Sequence, residues 1–194
     1  MTQSSEANKH HRVPDSLKLL YSAQEIQARV SELGAEVSRW CRAVREDSGK
    51  DVVAIPVLRG AIFFFADLTR AIDTSVEIAP VRASSYNNTQ INSQSSSVSI
   101  IADALDVRGR TVLVVDDVCD SGRTLEELER ALIERGAREV RSAVLVRRLL
   151  QVPSFVPCWV GYEYAGEEWF VGYGLEMQER WRNLPNVYTL KPER

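Results

Sequence analysis

The stretch Thr111-Val-Leu-Val-Val-Asp-Asp-Val-Cys-Asp-Ser-Gly-Arg-Thr-Leu125 decides the fold. An apolar run, Val112 to Val115, ends in two acids, Asp116 and Asp117, with a third, Asp120, three residues on. A short polar loop, Ser121 to Thr124, leads at once into a helical pattern. A buried strand, a loop and a helix start, with acids at the strand's carboxyl end, form the place where open α/β sheets bind ligands. Backbone N–H groups and a hydroxyl at a helix N-terminus suit a phosphate. The acids suit hydroxyls, a magnesium ion or a proton. Together these groups predict a phosphorylated sugar as ligand.

On both sides of this stretch the pattern is that of alternating strands and helices. Ser22 and Glu25 form a capping box. After it, Ile26, Val30, Leu33, Val37, Trp40 and Val44 recur at steps of four and three, the stripe of an amphipathic helix running to about Arg45. Asp51 to Leu58 reads as a strand, Arg59-Gly60 as a turn, and Ala61 to Ile72 as a largely buried helix. Strands are expected at Val76–Ala83, Val98–Ile101, Arg110–Val115, Val140–Val146, Cys158–Tyr162 and Val187–Leu190. Thr124-Leu-Glu-Glu127 reads as a second capping box, and Gly136 as a helix stop. Ser84 to Ser97 is a polar stretch read as a lid because it leaves a strand directly and carries Tyr86. The expected fold is α/β, a central parallel sheet flanked by helices, with a small hood formed largely from residues 150–190. Residues 1–14 read as a flexible tail and 15–194 as a single domain.

Composition narrows the function classes. The net charge of −3 gives no general pull toward nucleic acid or an anionic membrane. Cys41, Cys119 and Cys158 are scattered, so neither a zinc knuckle nor a disulfide framework is indicated. A reducing cytoplasm follows from that reading. No apolar run approaches the roughly 18 residues needed to span a bilayer. His10 and His11 are the only histidines and sit in the tail, which argues against a histidine base. The chain lacks GxxxxGK[ST], so it is no Walker-type nucleotidase.

The run Val114 to Thr124 resembles the signature for 5-phosphoribosyl-1-pyrophosphate (PRPP) in type I phosphoribosyltransferases. Val57 to Leu68 resembles the pyrophosphate-loop segment of the hypoxanthine-guanine phosphoribosyltransferase family. Ser85-Tyr86 is similar to the opening of that family's lid, and Trp169 to Leu175 with Glu179 to Pro185 to its purine hood and C-terminal segment. The resemblance runs from about residue 14 to the end, in register.

The resemblance implies transfer of the phosphoribosyl group from PRPP to N9 of a 6-oxopurine, hypoxanthine and/or guanine, with Mg2+ as cofactor. Asp120 takes the place of the base for the purine N7 proton. Asp116 and Asp117 match the acidic pair near the ribose; neighbouring residues on a strand face opposite ways, so one meets ligand or metal and the other holds the loop. Ser121, Gly122, Arg123 and Thr124 match the 5′-phosphate cradle. Leu58, Arg59 and Gly60 match the pyrophosphate loop, where the family often has a non-proline cis peptide, and Arg182 the arginine that reaches pyrophosphate. Glu176 stands where the family usually has an aspartate that helps hold magnesium, so the metal set is Glu176, Asp116 and Asp117. Trp169 matches the aromatic stacked on the purine, with Val118 on the other face and the Phe170 backbone at the base edge. Arg147 stands where a lysine usually donates to the 6-oxo group, with Arg148 as the alternative donor. A homodimer or homotetramer is implied. The rival readings are a regulatory homologue that binds RNA or DNA, and the same chemistry on xanthine.

Overall fold

The computed structural model describes residues 13–79, 106–149 and 155–190. The expected lid with Ser85 and Tyr86, the strand at 98–101 and most of the tail lie outside them. The main sheet has five strands in the order β3-β2-β4-β5-β6, all pairs parallel. These are β2 (Val52–Pro56), β3 (Val76–Ile78), β4 (Thr111–Cys119), β5 (Glu139–Arg148) and β6 (Trp159–Tyr164).

The two faces of the sheet are built by alternation along the strands. Val52, Ala54, Leu113 and Val115 point to one side, into a core shared with α1 (Ala23–Ser48) and α2 (Ile62–Ala71). Val53, Ile55, Val112 and Val114 point to the other, against Leu125, Leu128 and Leu132 of α3 (Arg123–Glu134). Strands covered on both faces are apolar at every position, which is why they read as continuous runs. The stripe of α1 is buried as its periodicity demands, and Ser22 and Glu25 make the reciprocal capping box. Helix α2 is less buried than expected. Phe64, Phe65 and Leu68 enter the core, while Ile62 and Phe63 stay exposed.

Three boundaries depart from the sequence reading. Strand β4 does not stop at Val115 but continues to Cys119, and β5 continues to Arg148, because the ladder between them persists through Asp116↔Val144, Val118↔Val146 and Cys119↔Arg147. Backbone pairing is indifferent to the polarity of the side chains it carries. The proposed capping box at Thr124 is absent. The N-cap of α3 is Gly122, so Thr124 lies inside the first turn and no side chain caps the helix from the N-cap position.

A short strand that the sequence pattern did not reveal, β1 (Leu17–Tyr21), pairs antiparallel with β8 (Val187–Leu190), which in turn pairs with β7 (Phe170–Val171). The small sheet thus joins the two ends of the described chain. Strand β6, expected within the hood stretch, belongs to the main sheet instead.

Candidate active site

Strand β4 delivers its acids to the carboxyl edge of the main sheet, between α3 on one side and the hood on the other. Two depressions meet there. One, of about 180 Å³, is lined by Asp117, Val118, Asp120, Arg148, Trp169, Phe170, Glu176 and Arg182, with Gly60 at its rim. The other is lined by Asp116, Val118 and the run Cys119 to Leu125. Val118 and Asp120 belong to both, so the strand end forms the partition between them.

The second depression has the backbone geometry to hold an anion. Gly122 adopts φ 84°, a left-handed conformation that glycine reaches at little cost, and turns the loop into the first turn of α3. A Cβ there would lie 2.7 Å from the Phe155 carbonyl oxygen, so the position is also closed sterically. The N-cap has no side chain, and although the Arg123 N–H donates to Ser121 Oγ at 3.4 Å, the positive end of the helix dipole faces the depression.

Alternation along β4 separates the two neighbouring acids. Asp117 lines the larger cavity and presses on the pyrophosphate-loop candidate. A Cβ on Gly60 would sit 1.8 Å from Asp117 Oδ2, so any larger residue would have to displace that carboxylate. Asp116 points inward and is 6% exposed. Its Oδ1 accepts the Asp117 backbone N–H at 2.9 Å. Burial, reinforced by the charge of Asp117, pushes the Asp116 carboxyl well above the usual carboxylate range.

That shift has a signed consequence for stability. Between the unfolded and the folded pKa the native state binds the extra proton, so native stability falls as pH rises through that window. Asp116→Asn removes this cost. The variant without ligand should melt higher than the parent at pH 8, with the difference shrinking toward pH 3. Equal melting temperatures across the range would show that Asp116 carries no such penalty.

Asp120 lies at the partition with its side chain 69% exposed, and Arg148 Nε reaches its Oδ1 at 2.7 Å. The remaining donors of Arg148 hold the hood: Nη1 bonds the Gly166 carbonyl at 2.7 Å and Nη2 the Glu168 carbonyl at 2.7 Å. Its guanidinium also sits 4.1 Å over the Phe170 ring. Arg147, one residue earlier, is not among the groups lining this cavity. It reaches toward Glu163 at 3.4 Å, and its Nε is buried without a partner. A strand offers successive side chains to opposite faces, so only one of the two arginines can face this cavity. The structure puts Arg148 there.

The pyrophosphate-loop candidates Leu58, Arg59 and Gly60 follow β2, and the Leu58–Arg59 peptide is cis. Trp169, 56% exposed, faces the cavity with its indole N–H donated to the Glu176 carbonyl at 2.6 Å. Arg182 donates from Nη1 to the Gly174 carbonyl at 2.9 Å. Cys119, inside the acidic strand, is buried and its thiol is pushed up to about 11, chiefly by burial, which leaves it inert. Glu179 escaped the sequence reading, although its carboxylate touches both Arg59 and Arg182. A single acid in a polar turn carries no pattern that could single it out.

Among the described residues no group of three or more His, Cys, Asp or Glu side chains comes together as a metal site. Asp117 and Glu176 do share the larger cavity, whereas Asp116 is turned away from it. Two carboxylates facing a ligand cavity match magnesium, which usually takes one or two protein carboxylates and completes its shell with substrate oxygens and water.

Residues 24–171 match the family model described as the phosphoribosyl transferase domain. The hypoxanthine-guanine phosphoribosyltransferase of Mycobacterium bovis is 38% identical, with 99% of this chain and 97% of that protein aligned. The enzyme of the same name from Bacillus subtilis is 38% identical over 92% of this chain and 95% of its own length. A crystal structure of a hypoxanthine phosphoribosyltransferase from Staphylococcus aureus superposes with a TM-score of 0.70 at 28% identity, covering 92% of this chain and 95% of that one. Matches of this length and order, on a sheet whose carboxyl edge carries two adjoining depressions, mean that the chain belongs to the phosphoribosyl transferase family.

Proposed function

We propose that this protein transfers the 5-phosphoribosyl group of PRPP to N9 of a 6-oxopurine, hypoxanthine and/or guanine, forming IMP or GMP and releasing pyrophosphate. The observation that carries the reading is the placement of Asp120 between two adjoining depressions, one an anion cradle at a helix N-terminus and the other walled by Trp169 and Val118. The likeness to hypoxanthine-guanine phosphoribosyltransferases supports the choice of base.

Each group then has a task. Ser121, Gly122, Arg123 and Thr124 hold the 5′-phosphate at the start of α3. Asp117 faces the ribose hydroxyls, and Asp116 holds the Asp117 backbone from below. Trp169 and Val118 sandwich the purine, the Phe170 backbone meets its edge, and Arg148 supplies the cation for the 6-oxo group. Leu58, Arg59, Gly60 and Arg182 receive the pyrophosphate. As N9 bonds to C1′, the C1′–O bond to pyrophosphate breaks and Asp120 takes the N7 proton. Positive charge grows on the ribose in the transition state, and the fixed carboxylates around it favour that charge. Asp117 and Glu176 would hold a magnesium ion, which when bound neutralises charge on the departing pyrophosphate. Among the described residues no helix is long and apolar enough to cross a membrane. A cytoplasmic homodimer or homotetramer belongs to the same reading.

The test is a base-competition assay with purified protein, PRPP and magnesium across hypoxanthine, guanine, xanthine and adenine. Nucleotide should form from hypoxanthine or guanine and not from adenine. Absence of turnover with any base, alongside tight RNA binding, would overturn the proposal in favour of a regulatory homologue.

A further inference from the structure

One carboxylate, that of Glu179, meets the arginine of the pyrophosphate loop. Glu179 Oε1 meets an Arg59 guanidinium nitrogen at 2.8 Å, and its Oε2 meets one of Arg182 at 3.4 Å. Its backbone N–H donates to the Glu176 carboxylate. The backbone beneath it is costly. Met177 and Arg180 pair as a tight hairpin, with their N–H and carbonyl groups bonded at 3.0 and 3.1 Å. The two residues between them, Gln178 and Glu179, have φ 53° and 61°. A two-residue turn with both central residues left-handed favours asparagine and glycine. A glutamate there stands where glycine would cost least, and backbone outliers of this sort point to use of the side chain.

We propose that Glu179 is a built-in anion that holds Arg59 and Arg182 until a diphosphate group displaces it from both. The inference rests on the assignment of these two arginines to pyrophosphate. One carboxylate oxygen on each guanidinium is the pattern a bridging diphosphate would impose. A ligand that engages only one arginine leaves the other on Glu179 and gains little. A diphosphate reaches both at once and replaces both contacts. Arg182 stays in place during the exchange because its Nη1 is fixed on the Gly174 carbonyl.

The experiment is titration of inorganic pyrophosphate and of inorganic phosphate, each with magnesium, into the full chain and into its Glu179→Gln and Glu179→Asp variants by calorimetry. Glu179→Gln should bind pyrophosphate about five-fold more tightly, as expected for removing two exposed ion pairs. Phosphate, which replaces only one of the two contacts, should gain less, so the preference for pyrophosphate widens. Glu179→Asp is too short to bridge both guanidiniums and should shift the same way by less, and it serves as the test if the Gln variant does not fold. Unchanged or weaker pyrophosphate binding in a variant that melts like the parent overturns the inference and leaves the transferase reading standing. If the parent chain itself binds no pyrophosphate, the assignment of Arg59 and Arg182 falls, and this inference with it.

Discussion

Asp120→Asn should lower kcat with hypoxanthine by about 10²–10⁴-fold, the range typical of removing a general base, while PRPP binding stays near that of the parent. The side chain sits on the partition between the two depressions, outside the Ser121–Thr124 run that the proposed function assigns to the phosphate. Asparagine keeps the shape and still offers Oδ1 to Arg148, whose Nε lies 2.7 Å from that atom in the parent. What it loses is the ability to take a proton. Turnover and PRPP affinity, measured separately, discriminate the roles. Equal loss of both would make Asp120 a structural member of the loop rather than the base.

The parts of the molecule that were legible in the sequence are those set by local pattern. The apolar runs of β2, β4 and β5 and the stripe of α1 follow directly from burial on one or both faces. Where the outcome depends on a distant partner, the pattern is silent. Strand β1 carries Leu17 buried beside Leu19, which is 51% exposed, and forms only because β8 from the far end of the chain lies alongside. The acids of β4 remain in the strand because β5 pairs with them, a fact invisible in Asp116 and Asp117 themselves. Thr124 and Glu127 show the spacing of a capping box, but Thr124 falls within the first turn because the left-handed Gly122 had already fixed the start. Gly122, read as part of the phosphate cradle, proves to be the N-cap itself and brings no capping side chain to the helix end. The sequence reading puts Arg147 at the 6-oxo position, with Arg148 only as the alternative. One residue of register on a strand exchanges the faces, and only the pairing decides which side chain meets the cavity.

That exchange makes the second large prediction specific. Arg148→Ala should lower kcat/KM for the purine by roughly a hundredfold or more, since hydrogen bonds from a charged donor contribute about 1.5–3 kcal/mol each and two hold the hood carbonyls. Those to Gly166 and Glu168 would both be lost, together with the Asp120 contact and the cation above Phe170. Arg148→Lys separates charge from geometry. An ammonium keeps the positive charge near the base but cannot copy the planar fork that reaches Asp120 and two carbonyls together. It should recover part of the rate and alter the relative rates with hypoxanthine, guanine and xanthine. Arg147→Lys, beside Glu163 and away from the cavity, should leave that profile unchanged. The comparison of the two lysine variants is decisive because it holds charge and residue type constant and changes only the face of β5. A base profile that moved with Arg147 and not with Arg148 would sink the assignment of Arg148 to the 6-oxo group.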